Sequence, residues 1–149
     1  MLKNKKILFS LPLMIMGFTM ILLGSRWMIV DEPWLLDKVA NEARLEMSFN
    51  LLFKAEINQT LPGYLQQIYI FFGLWVSIIG LFILLFSNPN MIKIKDVRII
   101  LLISIGIMVS SGLILGYVLI PKSPFILLGW MLLLLYSLSL YIHLKYLNK

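Results

Sequence analysis

The sequence DEPWLLDKVANEARLEMSFNLLFKAEINQTLPGYLQ, residues 31–66, is the only long polar stretch in this chain of 149 residues. It holds six of the seven acidic residues. On both sides of it the sequence becomes apolar for the length of a membrane, and such runs are typical of transmembrane helices. The flanks therefore decide the fold class, and polar contacts are expected mainly within the stretch itself.

The composition agrees with this interpretation, since 60% of the residues are hydrophobic and only 13% are charged. A soluble domain of this size has too much surface to hide so many apolar side chains. The sequence predicts an all-α membrane protein that forms one membrane domain. We expect a four-transmembrane-helix bundle with an extracytoplasmic amphipathic helix between spans 1 and 2. The predicted spans cover residues 7–30, 67–86, 99–120 and 125–142.

The polar stretch has the pattern of a helix that lies on the membrane surface or against the mouth of the bundle. Asp31-Glu32-Pro33 is a typical helix start, and apolar residues then recur at helical spacing. Residues 45–51 alternate between apolar and polar, which also suits a short strand. Helix is preferred because a single helix leaves no open sheet edge near the bilayer. Leu61-Pro62-Gly63 is predicted to end the helix as a turn.

The basic residues predict the orientation of the spans. Eight of them fall on the side of the two termini, against one acid, and five fall on the other side, against six acids. Excess positive charge beside span ends is typical of the cytoplasmic face. We therefore expect a multi-pass protein of the plasma (inner) membrane with both termini cytoplasmic. The net charge of +6 is assigned to contact with anionic lipid head groups, so the bilayer is an expected partner and nucleic acid is not.

Small residues at regular spacing predict where the helices pack. Gly17 and Gly24 are seven apart on the first span, as are Gly73 and Gly80 on the second. The third span has two small-xxx-small pairs, a spacing that lets helix backbones approach each other, and we expect it to be the most tightly packed helix. The residues predicted at packing contacts are Gly17, Gly24, Gly106, Ser110, Gly112 and Gly116.

A few residues are candidates for a polar or anion site. Glu42 and Glu46 are four apart and would share a helix face, where two carboxylates can bind a cation or transfer protons. A solvated helix face is the preferred interpretation, because the single histidine, His143, lies on the opposite side. Arg26, near the end of the first span, is interpreted as an arginine at the membrane surface rather than an anion site. Asn58-Gln59-Thr60 matches a glycosylation sequon.

No catalytic residue, metal ligand or cofactor is predicted. The chain has no cysteine, and it lacks the phosphate-loop, nucleophile-elbow and zinc-protease motifs. The four predicted spans contain no acidic residue, which disfavours transport coupled to protons or ions. It does not disfavour a role in holding or moving an apolar molecule.

Three classes of function follow. The first is a non-enzymatic accessory or interaction subunit of a membrane assembly, whose partners are other membrane protein subunits. The second is a binder or carrier of a lipid or other small apolar molecule, with the outer helix as a lid. The third is a membrane enzyme that uses the acidic outer helix. In outline the chain resembles the small four-span bacterial membrane proteins of the DoxX-like kind, which also place a polar segment between the first two spans. That resemblance is one of architecture and transfers no functional residue.

The predicted topology has a direct test. A reporter fused after Lys149 and one inserted within residues 37–60 should report opposite compartments, because an odd number of spans separates the two sites. The compartment of each site is measured by the activities of two reporters, one that is active in the cytoplasm and one that is active outside it. If both sites reported the same compartment, the four-span arrangement would be wrong.

Overall fold

The computed structural model describes residues 2–148, and every secondary-structure element in that range is helical. The α-helices are α1 (Leu2–Ile29), α2 (Lys38–Leu45), α3 (Phe49–Lys54), α4 (Leu61–Phe86), α5 (Lys95–Leu119) and α6 (Phe125–Ile142). Short 3₁₀ turns cover Pro33–Asp37, Glu56–Asn58 and Met91–Lys93, and a π-helical turn, His143–Leu147, follows α6.

Four of these helices, α1, α4, α5 and α6, are long and apolar enough to cross a membrane. The expected all-helical class with four such helices is confirmed. One predicted boundary is wrong, because Leu61-Pro62-Gly63 begins α4 instead of ending the helix before it. Proline is tolerated in the first turn of a helix, where its missing N–H would have had no partner. The helix α4 therefore starts six residues before the predicted span.

The segment between α1 and α4 is helical in pieces rather than as one helix. After α2, the chain passes through Glu46, which has a left-handed backbone with φ of 54°. Ser48 then caps α3, and its Oγ accepts a hydrogen bond from the backbone N–H of Leu51 at 3.4 Å. Serine competes for backbone donors in this way, which favours helix starts over helix interiors. The stretch from Pro33 to Asn58, which folds across one end of the long helices, is called the cap, and that end is called the capped end.

The closest helix contact joins α1 to α4, which run antiparallel. A Cβ added at Gly17 would lie 2.6 Å from the carbonyl oxygen of Gly80, and one added at Gly80 would lie 2.6 Å from that of Gly17. One heptad along, Gly24 and Gly73 are in the same relation. Only glycine leaves room for backbones at this distance, as in the close crossings of membrane helices.

The remaining long helices pack in a row, with α6 against α1 and α5 against α6. The α5–α6 contact includes Gly106, where an added Cβ would lie 2.6 Å from the Tyr136 hydroxyl oxygen. The sequence, however, assigned the tightest packing to this third span, and the structure differs there. Gly112 and Ser110 are exposed, and a Cβ at Gly112 would meet no atom within 4 Å. At Gly116 an added Cβ would make only an ordinary contact with Ile126.

Polar contacts close the other end of the helices, which is called the lysine-rich end. Arg98 is buried and its guanidinium donates to three carbonyl oxygens, those of Ile92 at 2.7 Å, Lys93 at 3.2 Å and Leu147 at 2.9 Å. Next to it lies a fully buried apolar cluster that includes Phe9. The Phe9 carbonyl also accepts from Ser139 Oγ at 2.9 Å. These contacts join the connection between α4 and α5 to the turn that follows α6.

The glycine contact makes a specific stability prediction. Gly17→Ala and Gly80→Ala should each destabilise the protein by about 1–3 kcal/mol, the usual cost of forcing extra atoms into a packed contact. Gly112→Ala is the matched control, and it should be neutral or slightly stabilising, because alanine favours helix over glycine and nothing obstructs it. Thermal unfolding in mild detergent measures all three. Equal effects at residues 17, 80 and 112 would contradict the assignment of the close contact to α1 and α4.

Candidate functional site

A lateral groove lies between α4 and α5, the two ends of the row of long helices. These two helices touch at few points, and their facing sides enclose a cavity of about 460 Å³ toward the lysine-rich end. The side chains around it are apolar except for Ser104. Those that form its walls include Ile79, Phe82, Phe86, Ile100, Ser104 and Met108. In a membrane, a groove of this kind opens sideways to the acyl chains of lipids.

A second cavity, of about 270 Å³, continues toward the capped end and shares Met108 with the first. Its space comes from Gly112, Gly116 and Gly129, which present no side chains there. Most of its wall comes from α5 and α6, with Met20 and Leu23 from α1 and Phe72 as the lining residue from α4. We call the two cavities together the seam, and it runs along most of the length of α5.

One face of α4 supplies its side of the seam. Phe72, Ile79 and Phe86 are spaced seven residues apart and all line the two cavities. Residues seven apart return to the same helix face. This face differs from the one that carries Gly73 and Gly80, which contacts α1. The helix therefore uses one side for a close backbone contact and a neighbouring side for the open seam.

The cap bridges the capped ends of α4 and α5. Asn41 Nδ2 donates to the Tyr69 hydroxyl of α4 at 3.1 Å and to the carbonyl of Trp34 at 3.0 Å. Arg44 Nη1 donates to the carbonyl of Leu119, in the last turn of α5. A cation at this position also opposes the negative end of the helix dipole. The helix α2 thus contacts both walls of the seam at its capped end.

Asp37 joins the cap to the connection between α5 and α6. Its Oδ2 accepts from Ser123 Oγ at 2.8 Å, and Ser123 Oγ also accepts from the backbone N–H of Phe125 at 3.1 Å. The carboxyl is 8% exposed, and its other oxygen has no partner among the described residues. Burial raises the pKa of Asp37 above its ordinary value, and the hydrogen bond from Ser123 opposes that rise.

The carboxylates that the sequence singled out lie elsewhere on the cap. Glu42 Oε1 accepts from the backbone N–H of Phe49 at 3.0 Å and lies 3.9 Å from Lys38 Nζ. It therefore links the end of α2 to the start of α3. Glu46 is exposed and lies outside α2, so the two glutamates do not share a helix face. Within residues 2–148, no three His, Asp or Glu side chains come close enough to hold a metal ion.

Arg26 is exposed in the last turn of α1, and it lines neither cavity of the seam. Its position is that of a side chain at the end of a span. Asn58, the sequon asparagine, is partly buried, and its Nδ2 donates to the carbonyl of Leu52 at 2.9 Å. That bond occupies the amide to which a sugar would be attached.

The sequence reasoning missed the residues that hold the cap in place. It singled out neither Asp37, which is buried, nor Asn41, which is half-buried against Tyr69. The partner of Asp37 lies 86 residues later in the chain, so no local pattern announces it. For the seam, the sequence did contain a signal: Phe72, Ile79 and Phe86 are bulky residues spaced seven apart on α4.

Comparison with protein-family models, with curated proteins and with solved structures finds no match to this chain.

The burial of Asp37 predicts a pH dependence of stability. Because the folded carboxyl has a raised pKa, it keeps its proton at pH values where the unfolded carboxyl, with an ordinary pKa of 3.8, has lost it. This contribution to the free energy of unfolding is present at low pH and is lost as pH rises from about 4 through the folded pKa. Asp37→Asn cannot ionise, so its stability should fall less over that interval.

Thermal unfolding between pH 4 and pH 8 in one detergent measures this difference. Asp31→Asn, which removes an exposed carboxyl from the same segment, is the control and should follow the wild type. Parallel pH profiles for the wild type and Asp37→Asn would show that this carboxyl does not titrate differently on folding.

Proposed function

We propose that this protein is a non-enzymatic membrane protein that holds the acyl chain of a membrane lipid in the seam between α4 and α5, with the cap over one end. The observation that carries the proposal is the lateral, apolar groove of about 460 Å³ between two helices that otherwise barely touch. A groove with Ser104 as its single polar side chain selects an apolar occupant, because most polar groups placed there would lose their hydrogen bonds to water.

The shape of the lining favours a lipid chain over a helix from another protein. Helices that pack in membranes place small residues at their contacts, since there the backbones must approach. The wider part of the seam is instead lined by branched and aromatic side chains such as Ile79, Phe82 and Ile100. Such side chains leave a narrow, flexible-walled channel between them, which a single extended chain fills better than a helix does.

The role of an accessory subunit is a second candidate with its own observation. On α5, Ser110 and Ser111 are exposed and line neither cavity of the seam, so a helix of another protein can approach the backbone there. The enzyme hypothesis has weaker support. The carboxylate of Glu42 is occupied as a cap for α3 and as an ion-pair partner of Lys38, and both contacts are structural in kind.

We also propose that the lysine-rich end faces the cytoplasm in a plasma (inner) membrane and that the cap lies outside. The support is the distribution of charge, with lysines concentrated beside the span ends at one side and six of the seven acids at the other. The cap would then lie at the outer surface, where its contacts to Tyr69 and Leu119 close the seam from water.

Filling the groove tests the proposal. Ser104→Phe places a ring in the groove from the α5 side, whereas Ile103→Phe adds a similar ring at an exposed neighbour that does not line it. Native mass spectrometry after purification in mild detergent should find retained lipid on the wild type and on Ile103→Phe. Ser104→Phe should lose most of it while keeping its thermal stability.

Two results would count against lipid binding in the seam. One is equal lipid retention in Ser104→Phe and the wild type. The other is a wild-type protein that carries no lipid and purifies with a stoichiometric protein subunit, which would put the accessory role first.

A further inference from the structure

A separate pocket of about 400 Å³ lies between the cap and the start of α4, and it shares no lining residue with the seam. Its apolar part is formed by side chains such as Phe49 and Leu65. Its polar part is formed by Asn41, Arg44 and Tyr69. The pocket therefore has one apolar and one polar region, as expected for a site that binds an amphiphile.

The polar groups in this pocket that lack partners are hydrogen-bond donors. The Tyr69 hydroxyl accepts from Asn41, and its own proton has no acceptor within residues 2–148. The guanidinium of Arg44 carries five N–H donors, and among the described residues only Nη1 has an acceptor, the carbonyl of Leu119. The indole Nε1–H of Trp34 also lacks an acceptor among residues 2–148, but it is buried beneath the wall of the pocket.

The charged side chain in the wall of this pocket is basic, and Asp37 lies outside the wall but close enough to interact electrostatically with Tyr69. Arg44 is the only charged residue among those that line it, and no acidic side chain is present in its wall. The nearest carboxylate on the same helix, Glu42, is occupied by Lys38 and by the backbone of α3. A positive charge with unpaired donors fits an anionic group, and guanidinium is well suited to carboxylate and phosphate.

We propose that this pocket binds the head of a single-chain anionic amphiphile, either a carboxylate or a phosphate, with the first part of its chain against Phe49 and Leu65. Arg44 supplies the charge, and the Tyr69 hydroxyl supplies a further donor. The inference goes beyond the proposed lipid groove, since the residues differ. It holds whether or not the seam retains a lipid.

Four probes with the same dodecyl chain test the head-group class: dodecanoate, dodecyl phosphate, dodecanol and dodecyltrimethylammonium. Each is titrated, in radiolabelled form, onto the protein in nanodiscs of zwitterionic phosphatidylcholine, with empty nanodiscs as the blank for partitioning. Saturable binding of at least one anionic probe should be about tenfold tighter than binding of dodecanol. The ratio of the dissociation constants of dodecanoate and dodecyl phosphate then identifies the source of the anionic group, a free fatty acid or a phosphate-bearing head.

Variants assign the binding to this pocket. Arg44→Gln should weaken binding of the preferred anion about tenfold, whereas Lys38→Gln removes the same charge from α2 outside the pocket and should leave it unchanged. Leu65→Trp fills the apolar part and should abolish saturable binding of every probe. Tyr69→Phe removes the hydroxyl that would donate to the head group and that accepts from Asn41, so thermal unfolding of this variant and of Arg44→Gln shows whether either change loosens the cap.

The inference fails if all four probes bind with the same affinity, or if the probes only partition into the bilayer without saturation. It also fails if Lys38→Gln and Arg44→Gln change the affinity equally. Ser104→Phe, which fills the seam, should leave dodecanoate and dodecyl phosphate binding unchanged. A loss in that variant would move the anionic amphiphile into the seam and overturn the separate site. Lipid retention, measured independently by mass spectrometry, reports on the seam alone.

Discussion

The antiparallel contact between the glycines of α1 and α4 fixes the positions of the other helices. Where Gly17 meets Gly80 and Gly24 meets Gly73, the two backbones are too close for any side chain. No hydrophobic force drives helices together inside a bilayer, so this close packing must supply much of the attraction. One side of α1 packs against α4 and another against α6, so α5 packs mainly against α6 and touches α4 at few points. The open seam between α4 and α5 is the result.

At the capped end, hydrogen bonds to single groups replace extended packing. Asn41 reaches α4, Arg44 reaches α5, and Asp37 reaches the connection before α6, so each long helix near the seam has one polar contact with the cap. None of these three contacts is an ion pair. A neutral hydrogen bond such as that from Asn41 contributes about 0.5–1.5 kcal/mol. These bonds add to the packing of the buried cap side chains Trp34, Ala40 and Phe49.

The sequence predicted the helical class and the four long apolar helices, because hydrophobic length is a local property that every membrane span must satisfy. It also noted the heptad glycines on α1 and α4. It ranked α5 above them because the small-xxx-small pattern does not say whether a partner helix is present, and at Gly112 none is. The burial of Asp37 was not predictable in this way. It depends on Ser123, which only the folded chain brings near.

The breaks in the cap were hidden for a related reason. Leucine, alanine and glutamate favour helix throughout residues 35–56, and the change of direction at Glu46 and Ser48 depends on one left-handed residue and one serine cap. Pro62 was assigned to a turn because proline ends helices as often as it starts them. Leu65 and Tyr69 follow that proline in the chain, and their tertiary contacts were needed to decide between a helix end and a helix start at Pro62.

The carbonyl contacts of Arg98 impose an order on biogenesis. The glycine faces of α1 and α4 are both synthesised before α5 begins, so that helix pair can form while the rest of the chain is still on the ribosome. The guanidinium of Arg98 then enters the membrane interface 49 residues ahead of Leu147, whose carbonyl completes its set of acceptors. Until then water or lipid phosphate must serve in its place. A newly inserted chain therefore passes through a stage with three long helices in which this arginine is incompletely bonded, and the arrival of the turn after α6 ends that stage.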